Sequence, residues 1–355
     1  MLDIEVNLTL LQTSGEASFG IPLFAVANAA GSGEATAAVP YTECKTLSDV
    51  INAGFTKSSK MYAAVALMLK QDKHPSTFAV FGGTNDALLE DGDKWEGENW
   101  RQLIVVDPGT STIKDIANEI ETLTRKVFFT SVTIENYTTK TDNEFKTAWE
   151  AAIADLKAFE RTVIMFYSDD VDTPEAALVG ATAAKDVGSF TYKNLIIKGV
   201  PALNLSDGKI RAINGSDDKG HGLTIVKKAG DIVTTEGKVA SGEYIDVIDS
   251  LDWIIYYVGY EGQKVLNVSD KVPYTTPGIT QLENAVISVL KRAFNNGMIA
   301  PLEDNEGVGN YTTDFASRSE MSDDNIKHRK YTGGKFSFEL AGAIHEAEVN
   351  GSITI

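Results

Sequence analysis

Four histidines, one cysteine and several paired acids are the residues of this sequence whose types suit chemistry. A histidine beside a carboxylate can act as a general base, paired carboxylates can hold calcium or share a proton, and a thiol of lowered pKa is a nucleophile. His74, His221, His328 and His345 each stand apart from any other His or Cys at ligand spacing. Asp169-Asp170, Asp217-Asp218, Glu303-Asp304 and Asp323-Asp324 all lie in loop-like contexts, and a chain with 50 acids forms such pairs by chance. Asp217-Asp218 lacks the alternating acid spacing of a calcium loop. Gly31-Ser32-Gly33 runs into Glu34-Ala35-Thr36, so a dinucleotide fingerprint fails at its third glycine. No Walker loop and no Gly-x-Ser-x-Gly elbow occurs. The enzyme reading that remains is a hydrolase-like α/β protein using Asp169, Asp170 and His221. One basic cluster stands out, Lys327-His328-Arg329-Lys330. It is either a solvated turn or a docking site for an acidic neighbour.

The elements that must carry these residues belong to an acidic chain. Its 355 residues hold 32 Lys+Arg against 50 Asp+Glu, a net charge of −18. Such a field repels phosphate backbones and anionic lipids, so neither nucleic acid nor a membrane surface is an expected partner. One cysteine, Cys44, permits neither an internal disulfide nor a cysteine-based zinc site, and no cofactor or metal is expected. The start lacks a basic n-region and no run reaches 18 apolar residues, so synthesis and retention in a cytoplasm are expected. The length corresponds to about two domains.

The order of elements predicts an α/β fold. Ile4, Val6, Leu8 and Leu10 alternate with polar residues, a strand on an arm followed by the linker Gln12–Ser18. Strands are expected at 21–27, 77–81, 103–106, 128–134, 162–167 and 194–198. Helices are expected over 49–71, after Thr112 with Asp115 as a capping box, and along Phe145, Trp149, Ala152, Leu156 and Phe159. Another helix is expected after the cap Thr173-Pro174-Glu175. Interleaved strands and helices imply βαβ units and a mostly parallel or mixed sheet. Beyond Val200 the pattern predicts a hairpin around Ala229-Gly230-Asp231, helices over 244–265 and 279–296 closed by Gly297, and a polar loop over 303–329. Phe336, Phe338 and Leu340 then alternate as a strand. The apolar parity flips after Ala341-Gly342-Ala343, so Val349, Ile353 and Ile355 share a different face.

Several segments carry a resemblance. They are Thr235 to Trp253 (TEGKVASGEYIDVIDSLDW), Lys271 to Ile279 (KVPYTTPGI), Asn296-Gly-Met-Ile299, the ending Leu340 to Ile353, and Phe19-Gly-Ile-Pro-Leu23. In their order they resemble the contractile-tail sheath proteins of bacteriophages and R-type bacteriocins. The resemblance implies a non-enzymatic structural subunit. Its expected organisation is an N-terminal strand arm and linker (1–18), an α/β sheath domain (19–222), a C-terminal sheath domain (223–334) and a C-terminal strand arm (335–355). It implies hexameric rings stacked helically around a tail tube, with baseplate and terminator proteins as further partners. The particle, a virion or phage-tail-like body, would be made in a bacterial cytoplasm. The arms, through Ile4, Val6, Leu8, Leu10, Phe336, Phe338, Leu340, Val349, Ile353 and Ile355, are the expected subunit contacts. Lys327, Arg329 and Lys330 are the expected contact with the tube or a neighbour. The alternatives are the hydrolase above and another self-assembling phage structural protein.

Overall fold

The structure, a computed structural model, describes residues 19–215 and 220–345. The first ten residues and the last ten, with Ile4, Val6, Leu8, Leu10, Val349, Ile353 and Ile355, lie outside the described residues. The chain divides into two compact units. The first runs to Lys185 and resumes over Thr191–Asp246; the second takes Asp186–Phe190 and everything from Val247 onward.

The first unit is a layered α/β body. Its elements are β1 (Ile21–Val26), β2 (Val39–Cys44), α1 (Leu47–Ala53), α2 (Lys60–Leu69), β3 (Phe78–Gly82), β4 (Trp100–Asp107), α3 (Ile113–Thr122), β5 (Val127–Val132), α4 (Asp142–Ala152), β6 (Thr162–Phe166), α5 (Glu175–Thr182), α6 (Asp207–Asn214), β7 (Ile225–Lys228) and β8 (Asp231–Thr234). The sheet order is β2-β3-β1-β4-β5-β6, with β2 antiparallel and the other neighbours parallel. Strands β3 and β6 are buried at every residue, as parallel strands covered on both faces must be, and they read as unbroken apolar runs. Their ring side chains interlock: Phe145 and Trp149 of α4 meet Phe166 edge-on at 5.0 and 6.0 Å.

Local signals explain most boundaries. Thr46, Thr112 and Thr141 form capping boxes with Asp49, Asp115 and Glu144. The expected helix over 49–71 is two helices, because Gly54 closes α1 and Ser59 caps α2. Helix α4 stops at Ala152; Leu156 and Phe159 are buried in the turns that follow. Thr173 does not cap α5. It sits at φ +50 and the helix starts after Pro174 without a side-chain cap bond. The expected strand at 194–198 reduces to one bridge, Ile196 to Val233. The hairpin β7–β8 forms as expected, its turn carried by Ala229 at φ +49 and Gly230 at φ +101.

The sequence boundary at 222 falls inside the first unit. The open side of β6 is covered by later chain: Phe166 N donates to Leu223 O (2.8 Å), Thr224 Oγ1 to Phe166 O (2.9 Å) and Ala240 N to Thr162 O (2.7 Å). Residues 223–246 therefore complete the α/β sheet edge.

The second unit holds α7 (Ile245–Val268), α8 (Thr276–Asn295), β9 (Pro301–Leu302), β10 (Asn305–Gly309), β11 (Tyr311–Phe315), α9 (Asp323–Lys327) and β12 (Gly334–Phe338). Helices α7 and α8 meet through Arg292, whose guanidinium lies over Trp253 (5.4 Å) and Tyr257 (4.8 Å) and 3.5 Å from Glu261. The segment expected as a loop over 303–329 contains β10, β11 and α9. Its strands are too polar to announce themselves by apolar period and are made by pairing: β10 with β9, β11 with β12.

Candidate functional site

The residues singled out for chemistry are dispersed. Asp169 and Asp170 are exposed in a turn. His221 Nδ1 is 2.6 Å from Ala240 O, a structural contact. His328 faces Asp324, and Asp323 and Asp324 form the first turn of α9 behind the cap Ser322. Cys44 is buried, and burial, with Asp49 nearby, pushes its thiol up to about 11. Among the described residues no group of three or more His, Cys, Asp or Glu comes together as a metal site, and no helix is long and apolar enough to cross a membrane.

The place where this kind of sheet binds ligands is built differently. β1 lies between β3 and β4, so strand order reverses there, and ligands in such folds sit beyond the carboxyl ends at that switch point. Here the three loops are stitched to one another. Ala27 N donates to Asp107 O (2.8 Å), Asn28 N to Asn85 O (2.9 Å), Ala29 N to Gly83 O (3.0 Å) and Thr110 N to Asp86 O (2.8 Å). Gly109, at φ +63, lets Asp86 O approach so closely that a Cβ would stand 1.9 Å from it. Asp91 anchors the β3 loop from below. Its carboxylate accepts from Thr84 N (2.7 Å), Thr84 Oγ1 (2.9 Å), Asn85 N (3.0 Å), Asn85 Nδ2 (2.9 Å) and Lys94 Nζ (2.5 Å). Burial raises the Asp91 pKa, but the Lys94 ammonium and the Asn85 and Thr84 donors outweigh it and hold the group at about 2. The crevice is filled by the chain itself.

The second unit presents the other kind of site, an open sheet. β11 and β12 form a two-stranded antiparallel ribbon, Tyr311 opposite Phe338, Thr313 opposite Phe336 and Phe315 opposite Gly334. Helix α8 lies against β11, where Thr313 Oγ1 donates to Glu283 Oε1 (2.8 Å). Directly opposed residues share a face, so Phe336 and Phe338 stand on that side and stack on each other at 6.2 Å. Leu340 bridges to Ile299. The aromatic residues expected to meet a neighbour thus first meet their own chain.

Hydrogen-bond parity sets what the ribbon offers outward. Glu339 N donates to Asn310 O (3.0 Å) and Ala316 N to Gly333 O (2.9 Å), which fixes the bonded pairs of the ladder. By antiparallel alternation Thr312, Asp314, Lys335 and Ser337 bond within the ribbon. The main-chain groups of Tyr311, Thr313 and Phe315 then point out of one edge, and those of Gly334, Phe336 and Phe338 out of the other. Two strands alone are marginal in water, and both edges can accept another.

Beyond the ribbon, residues 316–333 carry Lys327, Arg329 and Lys330, all exposed. The lobe is braced by rings: Tyr331 stacks on Phe315 at 6.1 Å and meets Tyr274 edge-on at 6.0 Å. Tyr274 Oη donates to Lys330 O (3.2 Å) and Arg318 Nη1 to Tyr274 O (2.8 Å). Arg329 holds φ +57 just past α9, where glycine is the usual residue, and Lys330 N donates back to Asn325 O (2.9 Å).

Comparison with known proteins shows what this arrangement is similar to. Residues 245–353 match the family described as "E217 tail sheath protein gp31-like, C-terminal domain". The whole chain superposes on a subunit in the cryo-EM structure of the anti-feeding prophage baseplate, with TM-score 0.67, 12% identity, 100% of this chain and 99% of that one. The fold is that of a contractile-tail sheath protein. The contracted helical sheath of the same anti-feeding prophage matches at TM-score 0.64, 11% identity and 98% of each chain. The sheath tail protein Lin1278 from Listeria innocua matches at 0.57, 10% identity, 92% of this chain and 93% of that one. No curated protein sequence matches. Within the sheath fold the family match spans most of the second unit, with its ribbon and basic lobe, and the stitched crevice belongs to the first.

Proposed function

We propose that this chain is the sheath subunit of a contractile, phage-tail-like particle. Copies form hexameric rings stacked as a helix around a rigid tail tube, bounded by baseplate and terminator proteins, and their rearrangement drives the tube through a cell envelope. The observation that carries this reading is the β11–β12 ribbon with two open edges inside the segment that matches the sheath C-terminal-domain model. The terminal segments carry alternating apolar residues, Ile4/Val6/Leu8/Leu10 and Val349/Ile353/Ile355, and are the candidate added strands. One strand from each of two neighbours, added to the two edges, turns a marginal ribbon into a four-stranded sheet. Each main-chain bond contributes about 1 kcal/mol net, so a strand of several bonds tethers a neighbour while the bodies rotate. Lys327, Arg329 and Lys330 face outward to an acidic surface of the tube or of a neighbour.

The stitched switch point supports a non-enzymatic role over the hydrolase reading, since the crevice that would seat a substrate holds Asp86, Asp107 and Gly109 in mutual contact. Negative-stain microscopy of the purified full chain tests the proposal. Long striated cylinders are expected; closed shells would indicate another structural protein, and monomers at all concentrations would remove the sheath reading. Deleting residues 1–10 or 345–355 is expected to abolish cylinders, and intact cylinders after either deletion would remove strand exchange.

A further inference from the structure

The basic lobe and an acidic hairpin sit at opposite ends of one strand run in the second unit. The hairpin β9–β10 carries Glu303, Asp304 and Glu306, all exposed, at its tip. From Asn305 the chain continues through β10 and β11 to Phe315, where the basic lobe is braced by Tyr331. That run spans up to about 33 Å of strand, several Debye lengths at physiological salt. Among the described residues no ion pair joins the two charged ends of one copy.

Glu303, Asp304 and Glu306 form no ion pair among the described residues, and the basic lobe carries its cations beside Glu320, Asp323 and Asp324. In the basic cluster only His328 has an ion-pair partner among the described residues, Asp324. The backbone that carries the three cations is held, through Tyr274 Oη to Lys330 O and through the Arg329 turn, while their side chains are exposed. A residue with a Cβ at φ +57 costs stability that glycine would save, and Arg329 occupies that turn. The hairpin is fixed as well. Ala300, Asn310 and Glu339 close a ring of main-chain bonds at its base.

Three exposed anions on one hairpin and three exposed cations on one turn, each on a bonded backbone, are complementary between copies. We propose that the acidic β9–β10 hairpin of one subunit docks on the Lys327–Lys330 lobe of the next, a head-to-tail contact between copies of this chain. This rests on the sheath reading and assigns the partner of the basic lobe within it. A head-to-tail contact is heterologous, the kind that closes rings or propagates helices. It also offsets the like-charge repulsion of subunits at −18 each.

Charge reversal in the full chain tests it. Glu303→Lys with Asp304→Lys and Glu306→Lys, or Lys327→Glu with Arg329→Glu and Lys330→Glu, should each slow assembly, followed by light scattering, by about tenfold or more at low salt. Both sets in one chain should restore the rate to within about threefold of the parent, because the pair is merely inverted. Losses that simply add would overturn the proposal and leave the cations to another partner such as the tube. A second readout does not need cylinders. Asp304→Cys with Arg329→Cys should give a ladder of disulfide-linked oligomers on oxidation, while each single variant should stop at dimers. If the chain assembled normally yet gave no ladder, the contact would be wrong and the sheath reading intact. If the ladder formed without cylinders, the contact would stand and the sheath reading would fall.

Discussion

Asn310 and Glu339 hold each other twice: Glu339 N donates to Asn310 O at 3.0 Å, and Asn310 Nδ2 donates to Glu339 Oε2 at 2.6 Å. Asn310 N donates in turn to Ala300 O (2.7 Å) and Ala300 N to Glu339 O (2.8 Å), so three strands meet in a closed ring. The side-chain bond is charge-assisted but exposed, which limits it to about 1 kcal/mol. Asn310→Ala should lower stability by about that amount in denaturant titration. It should also slow assembly, because the ring sets the hairpin relative to the ribbon. Unchanged assembly at equal stability would mean the main-chain bonds alone suffice.

Asp91 makes a stronger case. Five donors converge on a fully buried carboxylate, and its Lys94 and Thr84 partners reach the surface. Asp91→Asn keeps the shape but puts an amide where donors already point, and should cost about 2–4 kcal/mol. A carboxyl held at about 2 against an ordinary 3.8 contributes stability above the ordinary value, lost as pH falls through about 2. The parent should therefore lose stability on acidification more steeply than Asp91→Asn. Equal acid slopes would show that the loop network does not depend on the charge.

The parallel strands were legible because burial on both faces demands apolar runs such as Phe78–Phe81 and Val163–Phe166, and the Thr112–Asp115 box is a local motif. The β11–β12 ribbon was half legible. Phe336 and Phe338 alternate, but Tyr311-Thr-Thr-Asp-Phe315 becomes a strand only by pairing with them and lying on α8. The stitched crevice was not legible, since main-chain bonds such as Ala27 N to Asp107 O leave no side-chain signature. Nor was the attachment of residues 223–246 to the β6 edge, a tertiary match between segments distant in sequence.

Glu175 is the opposite of Asp91. It is 3% exposed, and burial pushes its carboxyl up to about 7, countered only in part by its own backbone N–H and the Ser131 hydroxyl. A carboxyl raised above its unfolded value near 4.5 favours the protonated folded state, so stability falls as pH rises from there through about 7. Glu175→Gln should remove that slope and raise stability at pH 8 by about 1–3 kcal/mol. The check is thermal unfolding at several pH values; parallel curves for parent and variant would refute it.

Arg329 ties stability to the basic lobe. Arg329→Gly relieves the left-handed backbone at φ +57 but frees the unfolded chain, so the net gain should be about 0.5 kcal/mol. Assembly should nevertheless slow, since an exposed cation of the lobe is lost. Faster or unchanged assembly would return the lobe to an ordinary solvated turn.

The ribbon edge is tested most directly at Phe336. Its N–H points out of the β12 edge while the ladder bonds run through Lys335 and Ser337, so proline there removes an edge donor and no intrachain bond. Phe336→Leu is the control, because it loses the ring and keeps the N–H. Both variants should fold, each losing about 1 kcal/mol of packing at this half-buried position. Only Phe336→Pro should block cylinders, and it should do so at any salt, because main-chain pairing is not screened as exposed charges are. Cylinders from Phe336→Pro would mean that the β12 edge accepts no strand, and the arms would then need another acceptor.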